Sequence, residues 1–161
     1  MNAGKLSSDP ASDDRVEGVR ALARLLTVCA DGVEGYRVAA AKVGSAHLRA
    51  VLQRNEVERE ETTSVLTNAL AELGAKHDHH GSLSGAVHRG WVAGILGTAH
   101  ADEAIGRECQ RGDQVTLGAF AEALSHPLPP AIRDRVEAQL GRVLHAIERL
   151  SVGEAGAKDH A

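Results

Sequence analysis

Cys29-Ala30-Asp31-Gly32 and Cys109-Gln110-Arg111-Gly112 are two versions of one phrase, set 80 residues apart. After each comes a helical stretch, a short break (Gly44-Ser45 in one copy, Ser125 to Pro130 in the other), then a second helical stretch. Two such hairpins in one small chain predict a four-helix bundle. Composition points the same way. Tyr36, Trp91 and Phe120 are the only members of their residue types in 161 positions, and a core of Ala, Leu and Val suits close-packed helices better than a β-sandwich. The expected class is all-α, one domain around one core.

Periodicity places the helices. Val16, Val19, Leu22, Leu26, Cys29, Val33, Tyr36, Ala40 and Val43 recur three and four apart, which predicts a helix over 13–43 with Asp13 or Asp14 as N-cap. A second helix is predicted over 45–73, capped by Ser45 and closed by Gly74. Its seam is apolar at both ends (Leu48, Val51, Leu52; Val65, Leu66, Ala69, Leu73). Between them the inward positions fall on Asn55, Glu58 or Arg59, and Thr62. Polar groups at mid-seam must find partners, so this interruption marks either a satisfied network or a site.

A long connection over 75–101 follows. Leu83, Val87, Trp91 and Ile95, each four apart, predict one short helix within it, and its length suits a crossover running along the bundle. The third helix is predicted over 102–124, with Ile105, Cys109, Leu117, Phe120 and Leu124 inward. The fourth runs from Pro129 or Pro130 to Ser151, its seam being Ile132, Val136, Gln139, Val143, Ile147 and Leu150. Gln139 is again a polar residue at mid-seam, matched to Glu58 at an offset of 81. Residues 1–12 are expected to be a disordered N-terminus, 13–151 the bundle and 152–161 a disordered tail.

Charge and hydropathy bear on partners. The net charge is −4, and no run of Lys or Arg forms a stripe able to neutralise phosphates, so no nucleic acid is expected. No stretch reaches the roughly 18 apolar residues of a membrane helix, and the polar first residues lack a secretory pattern. A cytoplasmic protein with reduced thiols is the expectation.

Helical hairpins joined by a crossover are the frame of carboxylate-bridged dimetal proteins, which need Glu-x-x-His on one helix face. No Glu or Asp in this chain has a His three residues later. The carboxylates left near mid-bundle are Glu34, Glu58 and Glu108, candidate ligands for iron or manganese. Against that stands a purely hydrogen-bonded polar core of Asn55, Glu58 and Gln139, which is the preferred reading, with no cofactor expected. His145-x-x-Glu148 reverses the metal motif and lies on an outward stripe with Arg135, Arg142 and Arg149. Cys29 and Cys109 occupy equivalent places, so a pseudo-twofold axis could bring the thiols together as a redox sensor; inert packing is the preferred reading. The tract His77, His79 and His80, with His88 and His100, matches no structural zinc spacing and reads as a solvated loop.

Three ordered motifs carry a resemblance: Cys29-x-Asp31-Gly32-x-x-Gly35-Tyr36, Ser82-Leu83-x-Gly85-x-x-His88-Arg89-Gly90-Trp91, and Glu108-Cys109-x-Arg111-Gly112-Asp113. Over Val16 to Leu150 the chain resembles a bacterial family of ferritin-like four-helix-bundle proteins of unknown function. The resemblance implies a ferritin-like bundle and supplies no activity. The expectation is a structural or stress-associated protein, more non-catalytic than enzymatic, that self-associates into a homo-oligomer as the wider superfamily suggests. The alternative is an oxidase-like or storage protein binding iron or manganese through Glu58, Glu34 and Glu108.

Overall fold

The computed structural model describes the backbone of residues 10–75 and 101–158, and the side chains of 13–75 and 101–151. Four helices make up this region: α1 (Pro10–Lys42), α2 (Ala46–Glu72), α3 (Ala101–Ser125) and α4 (Pro130–Lys158). There is no strand among the described residues, and the chain is all-α. The connection over 76–100 lies outside the described residues, and with it the short helix expected around Leu83 to Ile95, Trp91 and the histidine tract.

Two helix boundaries differ from the sequence reading. α1 begins at Pro10, so Asp13 sits inside the first turn rather than capping it. Proline is well placed there, since the first helical N–H groups have no partner in any case. α4 continues through Val152 to Lys158 and does not stop at Ser151. Gly153 and Gly156 weaken that stretch, yet Glu154, Ala155, Ala157 and Lys158 favour helix strongly enough to carry it.

Contacts run α1 to α2, α2 to α4, α4 to α3 and α3 back to α1, so α1 and α4 face across one diagonal and α2 and α3 across the other. Cross-helix bonds give the directions. Gly44 at the end of α1 meets Asp102 at the start of α3, whereas Arg24 near the start of α1 reaches Glu122 near the end of α3. Arg149 and Arg135 of α4 pair with Glu58 and Glu72 of α2 in reversed order. Every neighbouring pair is therefore antiparallel. The C-terminal end of α2 and the N-terminal end of α3 consequently lie at opposite ends of the bundle.

The two hairpin turns are finished by side chains. Asp102 accepts bonds from the N–H groups of Gly44 and Ser45, both 2.8 Å, and Ser45 Oγ accepts from Leu48 N–H. Arg49 donates to the carbonyls of Ala40 and Val43, satisfying the orphan acceptors at the end of α1. Arg133 does the same for Leu124 and His126 at the end of α3. α2 ends in a left-handed residue, Gly74 at φ 76°, with Ala75 N–H bonded back to Leu70 and Gly74 N–H to Ala71. Only glycine takes that conformation without steric penalty.

Most of the expected seam positions are buried; Val19, Val51, Val65, Leu73, Leu117, Leu124 and Ile147 are partly buried, and Val16, one turn beyond the packed part of α1, is 45% exposed. The apolar core falls into two clusters. One holds Leu22, Leu26, Cys29, Leu66, Phe120 and Val136; the other holds Val43, Leu48, Leu52, Ile105, Cys109 and Leu150. A layer of polar side chains lies between them.

Candidate functional site

Arg59 is the centre of that layer. It lies on the inward face of α2, seven residues from Leu52 on one side and from Leu66 on the other, so the 3.6-residue repeat turns all three inward. Its side chain is 2% exposed and crosses the α2–α3 diagonal. There its guanidinium donates to Thr116 Oγ1 at 2.9 Å and to Asp113 at 3.0 Å. Tyr36 of α1 donates its hydroxyl to the same Asp113 carboxylate at 2.7 Å, and its ring centroid lies 5.6 Å from Arg59 Cζ. That contact adds a cation–π attraction which water does not screen.

Gly32 makes the room. A Cβ there would sit 3.0 Å from Arg59 Nη1, tighter than ordinary van der Waals contact. The glycine of the repeated Cys-x-x-Gly phrase thus admits the guanidinium. Its counterpart Gly112 has nothing within 4 Å of the same notional carbon.

Electrostatics set the protonation states. Burial opposes the Arg59 charge, but its surroundings, the Asp113 carboxylate and its hydrogen bond among them, outweigh it and keep the guanidinium protonated. Burial pushes the Asp113 carboxyl up from its ordinary value, against the pull of Arg59 and the Tyr36 hydroxyl. Burial also drives the Tyr36 hydroxyl well up, reinforced by the Asp113 charge. The Cys29 thiol is pushed up to about 11 by burial, although Arg59 lies beside it and pulls it down. A thiol in that range is a packing group, since nucleophilic chemistry needs the thiolate.

A second polar cluster occupies the α2–α4 seam nearer the surface. Asn55 donates to the Ala146 carbonyl at 3.0 Å and accepts from Arg149 at 3.0 Å. Arg149 also pairs with Glu58, which Arg54 holds from the other side at 3.1 Å. Thr62 donates to Gln139 at 3.2 Å, joining α2 to α4 just above. Arg142 with Glu61 and Arg135 with Glu72 continue the seam outward as exposed pairs.

Of the three residues read from the sequence as a polar core, Asn55 and Gln139 are buried, whereas the Glu58 side chain is 24% exposed and lies off the centre. Arg59 takes the central place. It stands 80 residues before Gln139, the same offset as the cysteines, so Arg59 and not Glu58 is the counterpart of Gln139. The candidate metal ligands do not converge. Glu34 pairs with Arg37, Glu58 with Arg54 and Arg149, and Glu108 with Arg111. Among the described residues no three His, Cys, Asp or Glu side chains gather where they could hold a metal ion. The carboxylate at the bundle centre, Asp113, already faces a fixed cation, and a metal ion there would meet Arg59 at close range. Among the described residues the donor set does not fit a dimetal centre.

Cys29 and Cys109 are both buried, neither is in a disulfide, and they belong to different core clusters. With Tyr36 level with Asp113 and Gly44 level with Asp102, the helical rise separates the two thiols by about 12 to 16 Å along the bundle. A disulfide needs Cα atoms within about 7 Å, so the two thiols, whose pairing was the alternative to inert packing, lie beyond disulfide reach of each other.

Asp113, Thr116 and Tyr36 are the site residues that the sequence reading did not assign to the polar core. The signal for the first two was present: Asp113 and Thr116 follow Cys109 by four and seven residues, on the inward stripe.

A family model described as a domain of unknown function, DUF2383, matches residues 17–126, from the first turns of α1 to the end of α3. The match covers more than half of the chain, which therefore belongs to this family. No curated protein matches it.

Proposed function

We propose that this protein is a ferritin-like four-helix bundle with a non-catalytic, structural or stress-associated role in the cytoplasm, working as a homo-oligomer. The observation supporting this reading is the closed network at the bundle centre. Arg59, Asp113, Tyr36 and Thr116 are spent on one another, and each is nearly or fully inaccessible to solvent. General acid–base work needs a group within reach of a substrate and poised near the working pH. Burial takes all four away from any substrate and drives the Tyr36 hydroxyl further from the working pH; the Asp113 carboxyl is raised, but Arg59 and Tyr36 already occupy its oxygens.

The ferritin-like frame supports the reading through its antiparallel neighbours and the opposite placement of the α2 and α3 ends. The resident guanidinium argues against iron or manganese at the centre. Two buried thiols fit a reducing compartment.

Untagged protein incubated with ferrous iron or with manganese, desalted and analysed by elemental spectrometry tests this. Substoichiometric metal is expected. Stoichiometric metal that disappears in Asp113→Asn would overturn the structural reading. Light scattering at micromolar concentration tests the assembly; a monomeric mass there would remove the oligomer from the proposal.

A further inference from the structure

The two hairpins repeat each other in burial as well as in sequence. At an offset of 80, Leu25 matches Ile105, Cys29 matches Cys109, Ala40 matches Phe120, Leu52 matches Ile132 and Leu70 matches Leu150, and all ten are buried. Arg49 and Arg133 cap their respective turns in the same way. A chain built like this faces a pairing problem. Each hairpin presents an apolar face shaped much like its sibling's, so the first hairpin could pack on the first hairpin of another copy, and the second on a second. Exchange of equivalent elements between copies is a low-cost route to unintended assemblies.

The central polar residues break the equivalence. The positions matching Asp113 and Thr116 are Val33 and Tyr36, and the position matching Arg59 is Gln139; all six are buried. In the native pairing Arg59 of the first hairpin meets Asp113 and Thr116 of the second. In a first-with-first pairing each Arg59 would instead face the other copy's Val33 and Tyr36, leaving two guanidinium groups buried without a carboxylate. In a second-with-second pairing each Asp113 would face Gln139 and lose its cation.

We propose that the Arg59–Asp113 pair is a partner-choice device: it makes the first hairpin pair with the second, and sets the register between them, by penalising the like-with-like pairings that the duplication otherwise permits. A buried ion pair is a poor source of stability relative to neutral groups of similar shape, because desolvation offsets most of the attraction. As a discriminator it is effective, since a mispaired Arg59 cannot shed its charge and a mispaired Asp113 must take up a proton or stay without its cation. A single polar residue in a coiled-coil seam fixes register and partner by the same physics. Placing cation and anion on different hairpins, across the diagonal, puts the penalty on exchange.

The test uses the full chain carrying Arg59→Gln together with Asp113→Asn, which neutralises both partners and keeps an acceptor for the Tyr36 hydroxyl. Wild type and variant are unfolded in denaturant, refolded at several protein concentrations, and compared by light scattering, circular dichroism and thermal melting. The variant is expected to keep its helicity and melt at the wild-type temperature or above. Its refolded material should nevertheless spread into species at two or more times the wild-type mass, in a proportion rising with concentration, while wild type returns to its single species. A variant that refolds to the wild-type mass alone would overturn the proposal. So would one that loses its helicity, because the pair would then serve stability and not choice. The comparison is with wild-type mass, whatever assembly wild type forms, so its outcome is separate from that of the proposed homo-oligomer.

Discussion

The bundle centre and the α2–α4 seam use the same chemistry, an arginine against a carboxylate, in opposite surroundings. Arg59 and Asp113 are almost wholly removed from water, whereas Arg149, Arg54 and Glu58 lie at the edge of the bundle. At the centre burial wins, and the Asp113 carboxyl rises above its ordinary value in spite of its cation. At the seam burial also pushes Glu58 up, but it is outweighed by the hydrogen bonds and charges of Arg149 and Arg54, which hold that carboxyl below its ordinary value. Depth therefore decides whether a salt bridge binds its proton more weakly or more tightly, and with it what the pair contributes to the fold.

The sharpest way to break this contrast is Asp113→Ala. Arg59 cannot shed its charge, and an uncompensated buried guanidinium should lower the unfolding free energy by about 3–5 kcal/mol, read from urea denaturation. Arg59→Met should cost less, because the stranded Asp113 can take up a proton. Next in size is Gly32→Ala. Crowding of Arg59 should outweigh the helix propensity gained and destabilise the protein by about 1–2 kcal/mol. In an Arg59→Ala background the sign should reverse, and a double-mutant cycle measures the difference.

At the seam, Glu58→Gln should cost only about 0.2–1 kcal/mol, because the side chains are partly solvated and water screens them. Its pH dependence has the opposite sense to that of the centre. The Glu58 carboxyl is held low in the folded state, so its stabilisation is present above the ordinary Glu value of about 4.3 and is lost as pH falls through the folded value. The Asp113 carboxyl is raised, so its proton-linked stabilisation is full below the ordinary Asp value of about 3.9 and is lost as pH rises through the folded value. Chemical denaturation across that acid range should show Glu58→Gln flattening the acid loss of stability and Asp113→Asn flattening the opposing slope. Equal slopes in the two variants would erase the distinction between the two regions.

The helices were legible because their apolar repeats are regular and their breaks carry Gly, Ser or Pro. Gly74 was readable as the end of α2 for the same local reason. The polar layer was legible as a place and less so in its membership. Three successive residues of α2, Val57, Glu58 and Arg59, sweep through most of a helical turn, and a carboxylate is the more familiar core polar group in such bundles. Holding the repeat strictly at 80 selects Arg59. Asp113 escaped notice because a lone charged residue in a seam normally marks the outward face. Its cation lies 54 residues earlier, on the helix diagonally opposite, and no local window contains both. The ends of α1 and α4 were underread where weak helix formers stand beside strong ones.

The Asp102 carboxylate that closes the Gly44–Ser45 turn lies 57 residues downstream of Ser45. During synthesis the first hairpin leaves the ribosome well before this acceptor exists, so its bend must first rest on Ser45 and Arg49 alone, with two main-chain donors turned toward solvent. Only when α3 is available can Asp102 close the corner, so the last bonds of the first hairpin's turn are contributed by the second hairpin.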